Sequence, residues 1–207
     1  EETTTEDFAI PFIRVLQPMS PQLQKQHGSY VQGASAGDLY NTVTGEAHDG
    51  EKGILIVPCA YNKKYIEWIP REKGGGLVNA NHDISILSSC RKDPESRRSY
   101  TPEGNEIVET AQFFVLVLEG GSPQQAVITF TSTQLGVARK WLTMLRMARV
   151  ENSKGESVEA PMFAYTYRIS IAMMAKDFMS AARSGDVKVK EEHQRDDVKD
   201  TTFDDAI

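Results

Sequence analysis

At 207 residues, with 40% hydrophobic and 25% charged side chains, the chain has the length and composition of one soluble globular domain with extensions and not those of a wholly disordered polymer. Its longest apolar run, Phe113 through Leu118, is six residues, far short of the roughly 18 to 20 that cross a bilayer as a helix, and the acidic opening at residues 1–7 lacks the basic and apolar regions of a signal peptide. The expectation is an intracellular protein that does not enter a membrane.

The net charge of −6 is unevenly spread. Residues 1–7 hold four carboxylates and no base, and residues 191–207 hold seven carboxylates against Arg195 and Lys199, so residues 8–190 carry +3. A weakly cationic body with anionic ends is compatible with phosphate binding on one face, so the overall sign does not exclude a nucleic acid. The chain divides on this basis into an acidic N-terminal arm (1–7), a body (8–184) and an acidic C-terminal tail (185–207).

Residues 12–16 form a short β-type run that Pro18 and Pro21 end. From residue 28 to 53 Gly, Asn, Thr and Asp predict short strands and turns, with a brief strand at 41–45 closing in a turn. An apolar run at 54–57 and a mixed aromatic and basic run at 61–69 predict two consecutive strands, interrupted at Pro58 and stopped at Pro70. Cys59, following the apolar run, is expected to be a small buried hydrophobe, and with Cys90 as the only other cysteine a reduced pair is expected. Gly74, Gly75 and Gly76 lack both the Lys-Ser/Thr ending of a phosphate loop and dinucleotide spacing, so they predict a hinge opening an inserted loop that reaches residue 106 and carries Arg91, Lys92, Arg97 and Arg98.

The runs at 106–118 and 126–132, joined by Gly120-Gly121-Ser122-Pro123, predict a hairpin. Ala138, Trp141, Leu142, Leu145 and Ala148 recur at helical spacing and predict a helix over 133–149 with Trp141 in its core face and Ser132 or Thr133 as cap. Residues 162–171 alternate, with Phe163, Tyr165, Tyr167, Ile169 and Ile171 on one side of a half-buried strand. The residues alone therefore give a mainly β body with one packed α-helix, followed by a charged tail without apolar periodicity that is expected to be disordered when unbound.

The chemistry concentrates at residues 61–73, where Tyr61, Tyr65 and Trp68 interleave with Lys63, Lys64, Arg71 and Lys73. Aromatic faces stack on bases and cations pair with phosphates, the combination by which single strands are held without sequence preference. Strand alternation divides the set: Tyr61, Lys63, Tyr65 and Arg71 share one face, and Lys64 and Trp68 lie nearer the other. Core aromatics among solvated lysines are the plainer reading of the same pattern. Arg139 and Arg146 nearly superpose along the helix, with Lys140 and Arg149 elsewhere around its axis, as a small basic ridge facing phosphates or the acidic tail, or simply as a solvated face. The Phe163, Tyr165 and Tyr167 stripe is likewise a packed face or a stacking platform.

His82-Asp83 is the one close His/carboxylate pair and reads as a loop pair, since no nucleophile motif accompanies it. Glu67, Asp83 and Glu106 do not assemble by spacing into a divalent-metal site, so neither catalysis, a metal nor a cofactor is expected. In the tail, Asp200, Phe203, Asp204 and Asp205 combine acid with an apolar residue, the character of a segment that competes for a cationic groove or docks on a partner, or of a merely solubilising tail.

Tyr65-Ile66-Glu67-Trp68-Ile69-Pro70-Arg71 before the three glycines, Phe130-Thr131-Ser132-Thr133-Gln134-Leu135 leading into Arg139-Lys140-Trp141, and the terminal Phe203-Asp204-Asp205 together resemble bacteriophage single-stranded DNA-binding proteins. The resemblance spans much of residues 55–207, although this tail ends in Ala206-Ile207. It implies an OB-like Greek-key barrel of five strands, partly open, with inserted loops. It also implies Tyr61, Tyr65 or Trp68 stacking on bases, and Lys63, Lys64, Arg71, Lys73, Arg139, Lys140 and Arg146 near phosphates. The implied partners are single-stranded DNA and, through the tail, replication proteins such as a DNA polymerase or helicase in the host cytoplasm, with a homodimer left open. A phage structural or assembly protein with no nucleic-acid role is the alternative.

Overall fold

The structure, a computed structural model, describes residues 9–171 and the backbone of residues 187–190. Its strands are β1 (Phe12–Val15), β2 (Leu39–Asn41), β3 (Ala47–His48), β4 (Ile54–Ile69), β5 (Gly76–His82), β6 (Arg91–Lys92) and β7 (Ser99–Tyr100). They continue with β8 (Glu106–Val117), β9 (Gln124–Thr131), β10 (Arg149–Glu151), β11 (Ser157–Glu159), β12 (Tyr167–Ile171) and β13 (Val187–Lys190), and the helix α1 is Leu135–Met147. Eleven strands form one sheet whose main path is β13-β12-β4-β8-β9-β1-β2-β3, while β10 and β11 make a separate hairpin.

The mainly β class with one packed helix is as expected. The sheet does not close, because no ladder joins its two ends among the described residues, and it has many more strands than a minimal five-stranded barrel. At one end, however, the Ile171 N–H donates to Gly50 O at 2.7 Å, carrying the edge of β12 onto the turn that leads from β3 into β4. The acidic N-terminal arm, the boundary expected at residue 184 and the acidic tail beyond residue 190 lie outside the described residues.

A single strand takes the place of the two expected around Pro58. β8 pairs with β4 from Ile56 to Trp68, with one register shift between Pro58 and Ala60. Proline has no N–H to give a ladder and is tolerated at a bulge, and here β12 has already stopped at Ile56. The bulge turns Cys59 outward, so that it is exposed and not the buried hydrophobe its apolar neighbours suggest. Both Cys59 and Cys90 are free.

The length of β4 gives the molecule two parts. Its first half lies in the main sheet between β12 and β8; its second half runs on with β8 as a ribbon, flanked by β5 on one edge and by the β6–β7 hairpin on the other. The stretch from Gly74 to about Glu106, expected as an inserted loop, therefore builds most of a β-arm. The glycines at 74–76 act as a tight turn: Gly74 and Gly75 have φ of 103° and 67°, conformations that a side chain would strain.

The core fills one side of the main sheet. Ile54, Ile56, Phe113, Val115, Ile128, Phe130 and Tyr167 are buried there with α1, which contributes Ala138, Trp141 and Leu145 as its spacing predicts. The helix is shorter than expected and starts after a 3₁₀ turn at Ser132–Gln134; its N-cap position is Gln134, not Ser132 or Thr133, and that side chain makes no capping bond. The predicted strand at 162–171 is likewise shortened: Met162–Ala164 is a 3₁₀ turn with Phe163 exposed, Tyr165 is partly buried against the core, and Tyr167, Ile169 and Ile171 are buried on the strand. The brief strand expected at 41–45 is the turn itself, in which Asn41 Oδ1 accepts from the N–H groups of Val43 and Thr44 at 2.9 and 3.2 Å.

Candidate nucleic-acid interface

From Ala60 to Trp68 the pairing of β4 with β8 runs without a break, so alternation holds along the arm. Lys64, Ile66 and Trp68 share the outer face. Tyr61, Lys63, Tyr65 and Glu67 share the inner face, which continues from the core.

The inner set is largely occupied. Tyr65 is 3% exposed, and burial removes its ring from the stacking candidates. Tyr61 is half-buried, its ring 5.0 Å from that of Phe113 at a tilt of 59°. Lys63 pairs with Glu109 at 2.6 Å, and this hydrogen bond holds the Lys63 ammonium above its usual pKa. The Arg139 guanidinium approaches the same carboxylate at 3.9 Å, so Glu109 offsets two of the expected phosphate contacts.

The outer set is partly open, with Lys64 and Ile66 half-buried and Trp68 exposed. Trp68 is 39% exposed and stands opposite Leu77 of β5, which is also exposed. Lys64 donates to Asn81 Oδ1 at 2.7 Å, fixing its stem against β5. Arg71 and Lys73 lie exposed in the 3₁₀ turn that follows β4, and a methyl group on Gly104 would sit 2.8 Å from the Lys73 ammonium. Trp68, Arg71 and Lys73 thus follow one another at the far end of β4, with Lys64 on the face of Trp68 about 13 Å back along the strand.

Lys140 and Arg146 are exposed on α1. Seven residues of helix separate Arg139 from Arg146 by about 10 Å, and Arg146 lies by Glu159 and Met162 at the end remote from the arm. The expected ridge is therefore divided: Arg139 meets Lys63 of the arm at Glu109, whereas Arg146 lies apart from it. Asp200, Phe203, Asp204 and Asp205 lie outside the described residues.

Two features escaped the sequence pattern. His82 is not in a loop pair with Asp83; it is on β5, with Nε2 2.8 Å from Glu67 Oε2, while Asn105 Nδ2 donates to Glu67 Oε1 at 2.8 Å. The Asn105 and His82 bonds hold the Glu67 carboxyl below its usual pKa against the opposing effect of burial. Asp83 instead accepts from the Ser85 N–H at 2.7 Å and starts the next 3₁₀ turn.

The second feature is a groove of about 680 Å³ between the β6–β7 hairpin and the start of α1, with Lys92, Arg97 and Arg98 on one side and Ser132 and Thr133 on the other. The run of bases at 91–98 was the only sequence signal for it. Among the described residues no group of three or more His, Cys, Asp or Glu gathers to hold a metal ion, and no helix is long and apolar enough to cross a membrane.

Fold and surface together define a mainly β, one-helix protein with a projecting arm that carries an exposed tryptophan and several cations. The profile of the Pam3 phage gp34-like family matches residues 1–192, and the chain belongs to that family of phage proteins. No curated protein and no solved structure matches it.

Proposed function

We propose that the protein binds single-stranded DNA through its arm, in phage DNA replication or recombination in the host cytoplasm, without catalysing a reaction. The observation that carries the reading is Trp68, exposed on the same strand face as Lys64 and followed by Arg71 and Lys73. An exposed aromatic among cations offers a base a stacking surface and its phosphates counter-charges.

The topology lends support. β4, β8 and β9 form an antiparallel meander, α1 follows, and β12 returns to β4, an order shared with the Greek key of OB folds. The arm at 70–105 replaces the first connection of that meander, one of the loops by which OB folds hold oligonucleotides. Within this reading the acidic tail competes with DNA and recruits a replication protein such as a polymerase or helicase.

A second reading, a phage structural or assembly protein, is favoured by the exposed Leu77 and Val78 on edge strand β5 and by Ile84 just beyond it. An apolar edge strand is suited to pairing with another chain, including a second copy.

Fluorescence anisotropy of labelled oligo-dT and of a matching duplex, with full-length protein and a form lacking residues 191–207, separates the two. Preference for the single strand, weakening with salt and tightening without the tail, is the expected result. Failure of both forms to bind, together with DNA-independent self-assembly, would transfer the case to the structural reading.

A further inference from the structure

Among the described residues only two that are not glycine adopt left-handed backbone: Arg97, with φ of 58°, and Ser132, with φ of 49°. They are distant in sequence and sit on different elements, Arg97 in the β6–β7 turn and Ser132 where β9 gives way to α1. Both line the same groove between arm and helix. Glycine is the residue that takes such backbone without steric cost, so a side chain held there works against local preference. Left-handed side-chain-bearing residues of this kind tend to gather at ligand sites.

The charges of the groove select the ligand. Two carboxylates line it, and each is already paired: Glu106 with Arg98 at 3.2 Å, and Glu109 with Lys63 at 2.6 Å and Arg139 at 3.9 Å. Neither Lys92 nor Arg97 has an ion-pair partner among the described residues, and both are exposed. In the hairpin turn Asp93 has its carboxylate engaged by the Ser96 hydroxyl and the Ser96 N–H, and Glu95, two residues before Arg97, is exposed and does not line the groove. What is left over is positive, beside apolar surface from Leu87, Ile107 and Leu135.

We propose that this groove holds a phosphate-bearing segment of the single strand, with Arg97 and Lys92 donating to phosphate oxygens, the Ser132 hydroxyl facing them, and a sugar or base against Leu87. This rests on the single-strand-binding reading and adds to it. Tyr65 and Glu109 line the groove and belong to the inner face of the arm, whereas Trp68 is on the outer face, so the strand contacts both sides of the ribbon.

Arg97→Gly tests the idea without endangering the fold, since glycine suits the backbone that arginine is held in. Full-length wild type, Arg97→Gly, Lys92→Ala/Arg97→Gly and Trp68→Ala are compared for binding of labelled oligo-dT over a salt series, with thermal unfolding alongside. Arg97→Gly is expected to keep or raise Tm, to weaken binding several-fold, and to reduce the slope of log affinity against log salt by about 0.7 for each phosphate that is no longer neutralised. Trp68→Ala is expected to weaken binding with the slope retained. If wild type binds and both groove variants bind with the same affinity and slope, the groove assignment is wrong and the function stands. If wild type itself binds no single strand, the function and the groove fall together. A lower Tm for Arg97→Gly would overturn the claim that arginine is held there against backbone preference.

Discussion

The indole of Trp141 lies against the ring of Phe113, with centroids 4.0 Å apart and planes 25° from parallel. Phe130 and Tyr167 meet the same indole edge-on at 6.2 and 6.1 Å. One helical side chain thus touches aromatic rings from β8, β9 and β12. Trp141→Ala is expected to destabilise the protein by about 3 to 5 kcal/mol, the range for emptying a buried aromatic site. Urea unfolding measures it, and a change below about 1 kcal/mol would show that α1 is held by other interactions.

Gly53 closes the turn into β4 with φ of 70°, and an added Cβ would lie 2.2 Å from Ile169 O. Backbone strain and collision act together there, because Ile169 is the ladder partner of Ile54. Gly53→Ala is expected to cost more than about 1 kcal/mol. Gly120→Ala is the control for left-handed backbone alone: it has φ of 80° and nothing within 4 Å of the added carbon. Equal destabilisation of the two variants in thermal unfolding would refute the role of the Ile169 carbonyl.

Glu67 couples the arm to acid. Its folded pKa is depressed, chiefly by the Asn105 bond and then by His82, so the carboxylate contributes stability above its unfolded pKa near 4.5 and loses that contribution as pH falls through the lower folded value. Amide exchange in β5 is expected to accelerate as pH drops below 4.5, after correction for intrinsic exchange. Glu67→Gln should flatten that acid dependence, and a variant with the wild-type profile would assign it to another group.

Trp68 and Tyr65 stand three residues apart in one strand and predict opposite outcomes. Trp68→Ala should destabilise the fold less than Trp141→Ala and cost about 1 to 3 kcal/mol of single-strand affinity. Tyr65→Phe, which keeps the buried ring, should leave affinity as it is. A loss of affinity in Tyr65→Phe would instead assign the Tyr65 hydroxyl a contact with the strand.

The hairpin of β8 and β9, the apolar face of α1 and the two-faced division of residues 61–69 were all legible, because each depends on local periodicity. The union of 54–57 with 61–69 was hidden by Pro58, since proline punctuation cannot tell a strand end from a bulge that a neighbouring strand continues across. The Glu67–His82–Asn105 cluster was hidden for another reason: its members come from β4, β5 and the turn before β8, and only strand pairing brings them together. Likewise Lys92 and Arg97 appear in sequence as loop charge, and their sharing of a groove with Ser132 depends on where the arm lies relative to the start of α1.

β4 serves both as a wall of the core and as the spine of the arm, with Ile54 and Ile56 wholly enclosed at one end and Trp68 open at the other. Such an arm is no interchangeable cassette. Excising 70–105 with a short linker would leave the far ends of β4 and β8 without their flanking strands, whereas cutting back to Pro58 would enter the hydrophobic interior. Variation in what this fold engages is therefore open to residue replacement along the ribbon and closed to wholesale exchange of the ribbon itself.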